Sequence, residues 1–345
     1  MDRNKVVGIT VASIGLVVLL MFTRFGWAVP IPPGPSGYHV LRTFHLPGTE
    51  GWDYLTMDSA ARILYISREN HIDALNVDTG MIVGKVTGLE GTNGLLPVPD
   101  LGRGFATNED KSEVVVVDLK TLQKIGTVKT GKAPDSFAYE PVTKRVFIMN
   151  SAGSSATAID AAAGTVAGTV QLNGQPEFVV ADGKGSVFIN ITDKNEVAEV
   201  DAKELKVLHR WALAPGEGPS GISMDRKNRR LFSACDNQKM IVMNADTGKV
   251  VAALRTGAGT DASVFDPDTM NAFAPAGGAG TLTIIHEDSP DKFSVLEEID
   301  TQSGARTATL DTKTHNVITV TARHGHGSTH NDVLPNTFAV IVVGK

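Results

Sequence analysis

Residues 218–257 read GPSGISMDRKNRRLFSACDNQKMIVMNADTGKVVAALRTG, four short apolar runs set apart by turn chemistry. The runs cover 220–224, 231–235, 239–244 and 249–254. Between them stand Asp225-Arg226-Lys227-Asn228, Asp236-Asn237 and Asp246-Thr247-Gly248. Short apolar and β-branched runs bounded by Asp, Asn and Gly are the signature of strands joined by tight hairpins. The stretch therefore predicts one four-stranded antiparallel sheet.

The same unit recurs along the chain. The acid that opens the third turn appears at Asp78, Asp118, Asp160, Asp201, Asp246 and Asp288, in steps of 40, 42, 41, 45 and 42 residues. A period near forty residues with four strands per repeat predicts a β-propeller. The Gly-His and Trp-Asp marks of WD40 repeats are missing. Six complete repeats span about 51–88, 89–131, 132–174, 175–216, 217–257 and 258–303. Residues 304–345 hold only three strands, and the lone strand 38–46 supplies the fourth. The expected fold is thus all-β: a seven-bladed propeller of four-stranded antiparallel blades, closed by an N-terminal strand that completes the last blade. Closure of this kind removes exposed sheet edges. Repeats that bury their faces only against neighbours make residues 38–345 one domain despite the length of 345 residues.

Ahead of that body, Arg3 and Lys5 precede an uncharged apolar run at 6–22, followed by Arg24, Gly26 and Ala28. Residues 1–28 are expected to be a signal peptide cut after Ala28 or an uncleaved membrane anchor, and 29–37, VPIPPGPSG, a stiff Pro-rich linker. Either reading exports the body to the periplasm or beyond the cell, with membrane contact only through this segment and a monomeric propeller outside. The formal charge is -6. Such an acidic balance argues against general nucleic-acid binding, which needs phosphate-neutralising surface. The one cysteine, Cys235, ends a predicted strand, where a small apolar residue is expected rather than a reactive thiol. One cysteine also rules out covalent c-type haem and cysteine-based zinc sites.

GEGPSGISMD (216–225), ADTGK (245–249), TLTIIHEDSPDKF (281–293), TQSGARTATLDTKTH (301–315) and TFAVIVVGK (337–345) are the most specific stretches. With them the chain resembles the YncE-like, or YVTN-repeat, seven-bladed propellers of bacterial envelopes, over residues 38–345. The resemblance implies an exported propeller without an assigned reaction, some relatives being linked to DNA or to cell-surface interactions.

In a propeller the first strand of each blade lines the central channel, and function gathers where the inter-blade loops open. Aligning the blades on their first turn puts Asp53, Asn93, Asp135, Glu177, Ser220, Asp261 and Arg306 at the channel entrance. Four of the seven are acids. Converging carboxylates must raise their pKa values, hold a cation or be paired by a positive side chain, and one Arg cannot neutralise four. The ring reads either as ligands for calcium, magnesium or a cationic group of a ligand, or as hydrated acids with Arg306 pairing its neighbours. Trp52 and Tyr54 flank Asp53 as an aromatic wall or as packing between blades. In blade seven the loop RHGHGSTHND (323–332) joins strands two and three, and His324, His326 and His330 offer imidazoles for zinc-type binding, with His71 in the equivalent loop of blade one. The alternative is a solvated Gly-rich loop. His39, His45, His209, His286 and His315 fall at strand or turn positions and read as structural, and the hairpin at 287–292 reads as solvated charge.

No GxSxG elbow, HExxH, P-loop or helix-opening GxGxxG is present. The leading reading is a non-catalytic binding protein that takes an envelope partner or small ligand over the channel-entrance face. The alternative is a metal-dependent hydrolase or lyase, lactonase-like, using the channel-mouth carboxylates, and a weaker one is DNA binding. Fold alone does not choose among them.

Overall fold

The turns fall where Asp, Asn and Gly place them, and between them the chain forms seven antiparallel sheets of four strands. The computed structural model describes residues 34–325 and 333–345. The signal or anchor expected at 1–28, and most of the Pro-rich stretch after it, lie outside the described residues. Among those described, no helix is long and apolar enough to cross a membrane.

Blade five, the stretch read first, comprises Pro219–Asp225, Arg230–Cys235, Lys239–Asn244 and Val250–Arg255. Blade one is Leu55–Asp58, Ile63–Arg68, His71–Asn76 and Met81–Val86. Blades two, three, four and six follow the same order and open with Leu95–Val98, Pro134–Glu140, Pro176–Ala181 and Val264–Asp266. In blade seven Ala308–Asp311 is innermost, then Asn316–Thr321 and Phe338–Gly344, and His39–Leu46 pairs antiparallel on the outside. The N-terminal strand therefore closes the ring as the sequence predicts.

The repeat is tighter than the turn acids suggested. The side chain that caps the third turn is Asn76, Asp118, Asp160, Asp201 or Asn244, each accepting the backbone N–H of the residue three positions on and, except at Asp118, that of the residue two positions on as well. Those positions step by 42, 42, 41 and 43, so Asp78 and Asp246 sit two residues beyond the cap, while Asp288 lies inside a hairpin that runs on to Ser289. The core keeps the same rhythm: the third residue of each second strand is Tyr65, Phe105, Phe147, Phe188, Phe232, Phe273 or Ile318, all buried. These side chains fill the wedges between blades, where burial of apolar area supplies most of the stabilisation.

Polar bonds around the channel tie each blade to the next. Thr307 Oγ1 donates to the Asp53 carbonyl (2.8 Å), Thr56 Oγ1 to Leu95 (2.5 Å), Asn93 Nδ2 to Pro134 (3.3 Å) and Ser220 Oγ to Asp261 (2.9 Å). Ser136 Oγ bonds the Glu177 carbonyl, Asn190 Nδ2 that of Ser220 (2.8 Å), and the Ala262 N–H that of Arg306 (3.1 Å). Every blade boundary is thus bridged at least once, and the circuit closes. Cys235 is buried, and burial pushes its thiol up to about 12, in keeping with its structural reading.

The hairpin at 287–292 is exposed from Asp288 to Lys292, as expected of solvated charge, while Glu287 at its base is buried and accepts a bond from Asn228 (2.8 Å), and the exposed Asp291 pairs with Arg230 of blade five (2.8 Å).

Candidate functional site

Second-strand hydroxyls fix the loops that carry the predicted ring. The Asp53 N–H donates to Ser67 Oγ (2.8 Å) and the Asn93 N–H to Thr107 Oγ1 (2.9 Å), which holds both loops over the channel mouth. Six of the seven ring residues are partly exposed there, and Ser220 is buried. Their roles differ.

Arg306 serves one side. Its Nε donates to Asp261 Oδ2 (2.9 Å), and its Nη2 donates to the Trp52 carbonyl (3.3 Å) and lies 3.7 Å from Asp53 Oδ1. Ser220 Oγ also donates to Asp261 Oδ1 (2.6 Å). Asn93 is spent on structure, donating to Glu109 Oε2 (2.9 Å) as well as to Pro134. On the other side, Asp135 and Glu177 have no cationic partner among the described residues, and the nearby Tyr54 hydroxyl is the influence that favours their ionised forms.

Two further acids reach the ring. Glu109 and Asp236 stand in the turns between strands two and three of blades two and five, and their charges act on Asp135 and Glu177 respectively. Aligning the chain on first turns passed over them; aligning the second turns of the same blades puts both on this face.

The electrostatic outcome is a set of reluctant anions. Burial, then the charges of Asp135 and Asp261, hold Asp53 well above the usual carboxylate range, against Arg306. Asp135 is raised well above it by burial, then Glu177 and Glu109. Glu177 is raised to about 7 by burial, then by Asp261 and Asp53. Asp53 and Asp261 nonetheless keep 27 % of their side-chain surface exposed. Walls of protein surround the carboxylates while water still touches them, as in a narrow well.

Tyr54 forms the floor. Its ring meets Phe178 of blade four edge-on (centroids 4.6 Å apart, 85°) and Phe137 of blade three (6.2 Å, 76°), so it crosses the channel from blade one and does not pack between adjacent blades. Gly94 makes room, since a Cβ there would stand 2.8 Å from Phe137 Cζ and 3.1 Å from Tyr54 Cβ. A small cavity of about 120 Å³ remains beside the aromatic floor.

Trp52 does pack between blades, edge-on to Phe338 of blade seven (5.5 Å). Its other neighbours are the His324 ring (5.5 Å) and the Arg306 guanidinium (5.8 Å). Together with Gly259, Gly277, Gly278 and Gly304 these three line a cavity of about 680 Å³ at the rim of the well. Trp52 Nε1 and His324 Nδ1 are buried there without hydrogen-bond partners among the described residues. Of the predicted imidazole set, His326 and His330 lie outside the described residues. His71 belongs elsewhere: it bonds Asn70 (2.6 Å) and Lys85 (3.1 Å) and adjoins Asp73 (3.3 Å), in a cluster with buried Arg68.

Among the described residues, Asp266, Asp268 and His315 form the one group whose potential metal-ligating atoms all fall within 4.8 Å of one another. They lie on the opposite face. The ring acids do not form such a group.

No protein-family model and no curated protein matches the chain. Solved structures do. The WD40 repeats of RRP9 superpose with a TM-score of 0.74 at 11% identity, covering 91% of this chain and 99% of that one. A chain of the mitotic checkpoint complex gives 0.73 at 12%, covering 99% of both, and one of Kuenenia stuttgartiensis hydrazine synthase gives 0.69 at 14%, covering 80% and 94%. The shared feature is the propeller. At such identities the likeness is one of fold alone.

Proposed function

We propose that this chain is an exported, YncE-like binding propeller whose channel-entrance well receives the positively charged group of a small ligand or envelope partner. Asp135 and Glu177 carry the reading, two adjacent acids with no cation while Arg306 is engaged by Asp261 and Asp53. Mutual repulsion raises their pKa values, and an incoming cation relieves it. An ammonium or guanidinium group fits better than a bare calcium or magnesium ion, because the ring acids do not bring three ligand atoms within 4.8 Å as Asp266, Asp268 and His315 do. The same spacing weighs against a lactonase-like centre at the ring. The Trp52 cavity at the rim offers room for the rest of the ligand.

Calorimetric titration of the protein with a diamine, calcium and magnesium, repeated in buffers of different ionisation enthalpy, tests this. Expected is amine binding with proton release at pH 6.5, abolished in Asp135→Asn/Glu177→Gln. If no cation binds and the double variant is merely more stable, the ring is hydrated lining.

A further inference from the structure

On the face opposite the well, at three of the seven blade boundaries the residue that follows the first turn reaches back to the turn acid of the preceding blade. Arg62 of blade one pairs with Asp311 of blade seven (2.6 Å), and Arg229 of blade five with Asp182 of blade four (2.8 Å). Each couples a buried carboxylate to a permanent cation. His315 holds the same place in blade seven, with the same left-handed backbone (φ 60°, against 62° and 57° for the two arginines). It faces Asp266 of blade six at 3.1 Å. Here an imidazole stands in place of the guanidinium, and a second carboxylate, Asp268, lies 3.8 Å from His315 Nε2. Neither Asp266 nor Asp268 has a Lys or Arg partner among the described residues.

We propose that Asp266, Asp268 and His315 bind a divalent first-row metal ion of the zinc type, which clamps blade six to blade seven as arginine does at two of the six other boundaries. One imidazole nitrogen and one oxygen from each carboxylate lie within 4.8 Å of one another, close enough to converge on an ion with bonds of about 2.0–2.2 Å once Asp268 swings in. Asp268 is free to move, with 74% of its side chain exposed, whereas Asp266 is 1% exposed. Asp266 is also oriented by bonds from Thr269 Oγ1 (2.8 Å) and the Asp268 N–H (3.1 Å), the outer support that a metal-binding carboxylate needs. Three protein ligands on the surface leave the remaining positions to water. Mixed imidazole and carboxylate donors favour zinc, cobalt or nickel over calcium. The proposal uses no residue of the well and stands independently of the function assigned there.

The test is thermal denaturation of the EDTA-dialysed full chain with and without zinc chloride, alongside His315→Arg and Asp268→Asn. Zinc is expected to raise Tm by several degrees in the parent. His315→Arg installs the clasp made by Arg62 and Arg229, so it should hold the metal-free Tm or raise it while losing the zinc response. Asp268→Asn changes one exposed side chain and should weaken zinc binding at least tenfold without touching the fold. Absence of a zinc shift in the parent overturns the proposal. So does an equal shift in both variants, which would place zinc at the histidines of the blade-seven loop.

Discussion

Glu177 shows how one carboxyl couples the well to stability. It ionises near the ordinary value of 4.5 in the unfolded chain and at about 7 in the folded one, so the folded state holds an extra proton between those values. Stability is then fully present below about pH 4.5 and lost as pH rises through 7. Asp53 and Asp135 act in the same direction. Urea midpoints should fall between pH 5 and pH 8, and Glu177→Gln should flatten the fall. Were the variant to keep the full slope, Glu177 would not be the strained group. The floor makes a second residue-scale prediction. Gly94→Ala drives a methyl into Phe137 and the Tyr54 Cβ and should cost about 1–3 kcal/mol in chemical denaturation.

Among the elements, the turns carry the inter-blade clasps. Arg62 joins Asp78 and Asp311, of which Asp311 is almost fully buried, so Arg62→Ala leaves a buried carboxylate without its cation. A loss of about 3 kcal/mol is expected from denaturant titration, against almost none for the exposed pair Lys111–Glu90. Arg103 and Arg145 make a related grip, donating to carbonyls in the outer turn of the next blade. Strand count, strand bounds and blade order were legible in the sequence because hairpin chemistry is local: Asp, Asn and Gly act on their own turns. The clasps were not, since Arg62 and Asp311 are 249 positions apart and nothing near either one names the other. Tyr54 shows the same limit. Its place in the channel depends on Phe137 and Phe178 of distant blades, so from sequence it read only as an aromatic beside an acid. The buried aromatics of the second strands, Phe105, Phe147, Phe188, Phe232 and Phe273, would have fixed the repeat more sharply than the turn acids, because packing tolerates less variation than a solvent-facing turn.

At the scale of the whole molecule, the ring is completed by a strand contributed from the other end of the folded chain. Removing His39–Leu46 would leave Phe338–Gly344 as an unpaired edge whose seven residues are all buried in the intact fold. Light scattering of such a truncation should show concentration-dependent association, the usual fate of a long apolar edge. A monomer of unchanged stability would mean that the seam is dispensable.

The seam also has a direction. His39 pairs with Gly344 and Leu46 with Phe338, so the two strands run antiparallel and both ends of the folded chain emerge at the same end of the pair. Tension applied through Tyr38 and Lys345 therefore loads the hydrogen bonds one after another, beginning at His39, and not all together in shear. Pulled from its two ends, the closed ring should therefore yield as a zip, opening blade seven first while the other six blades keep their strands.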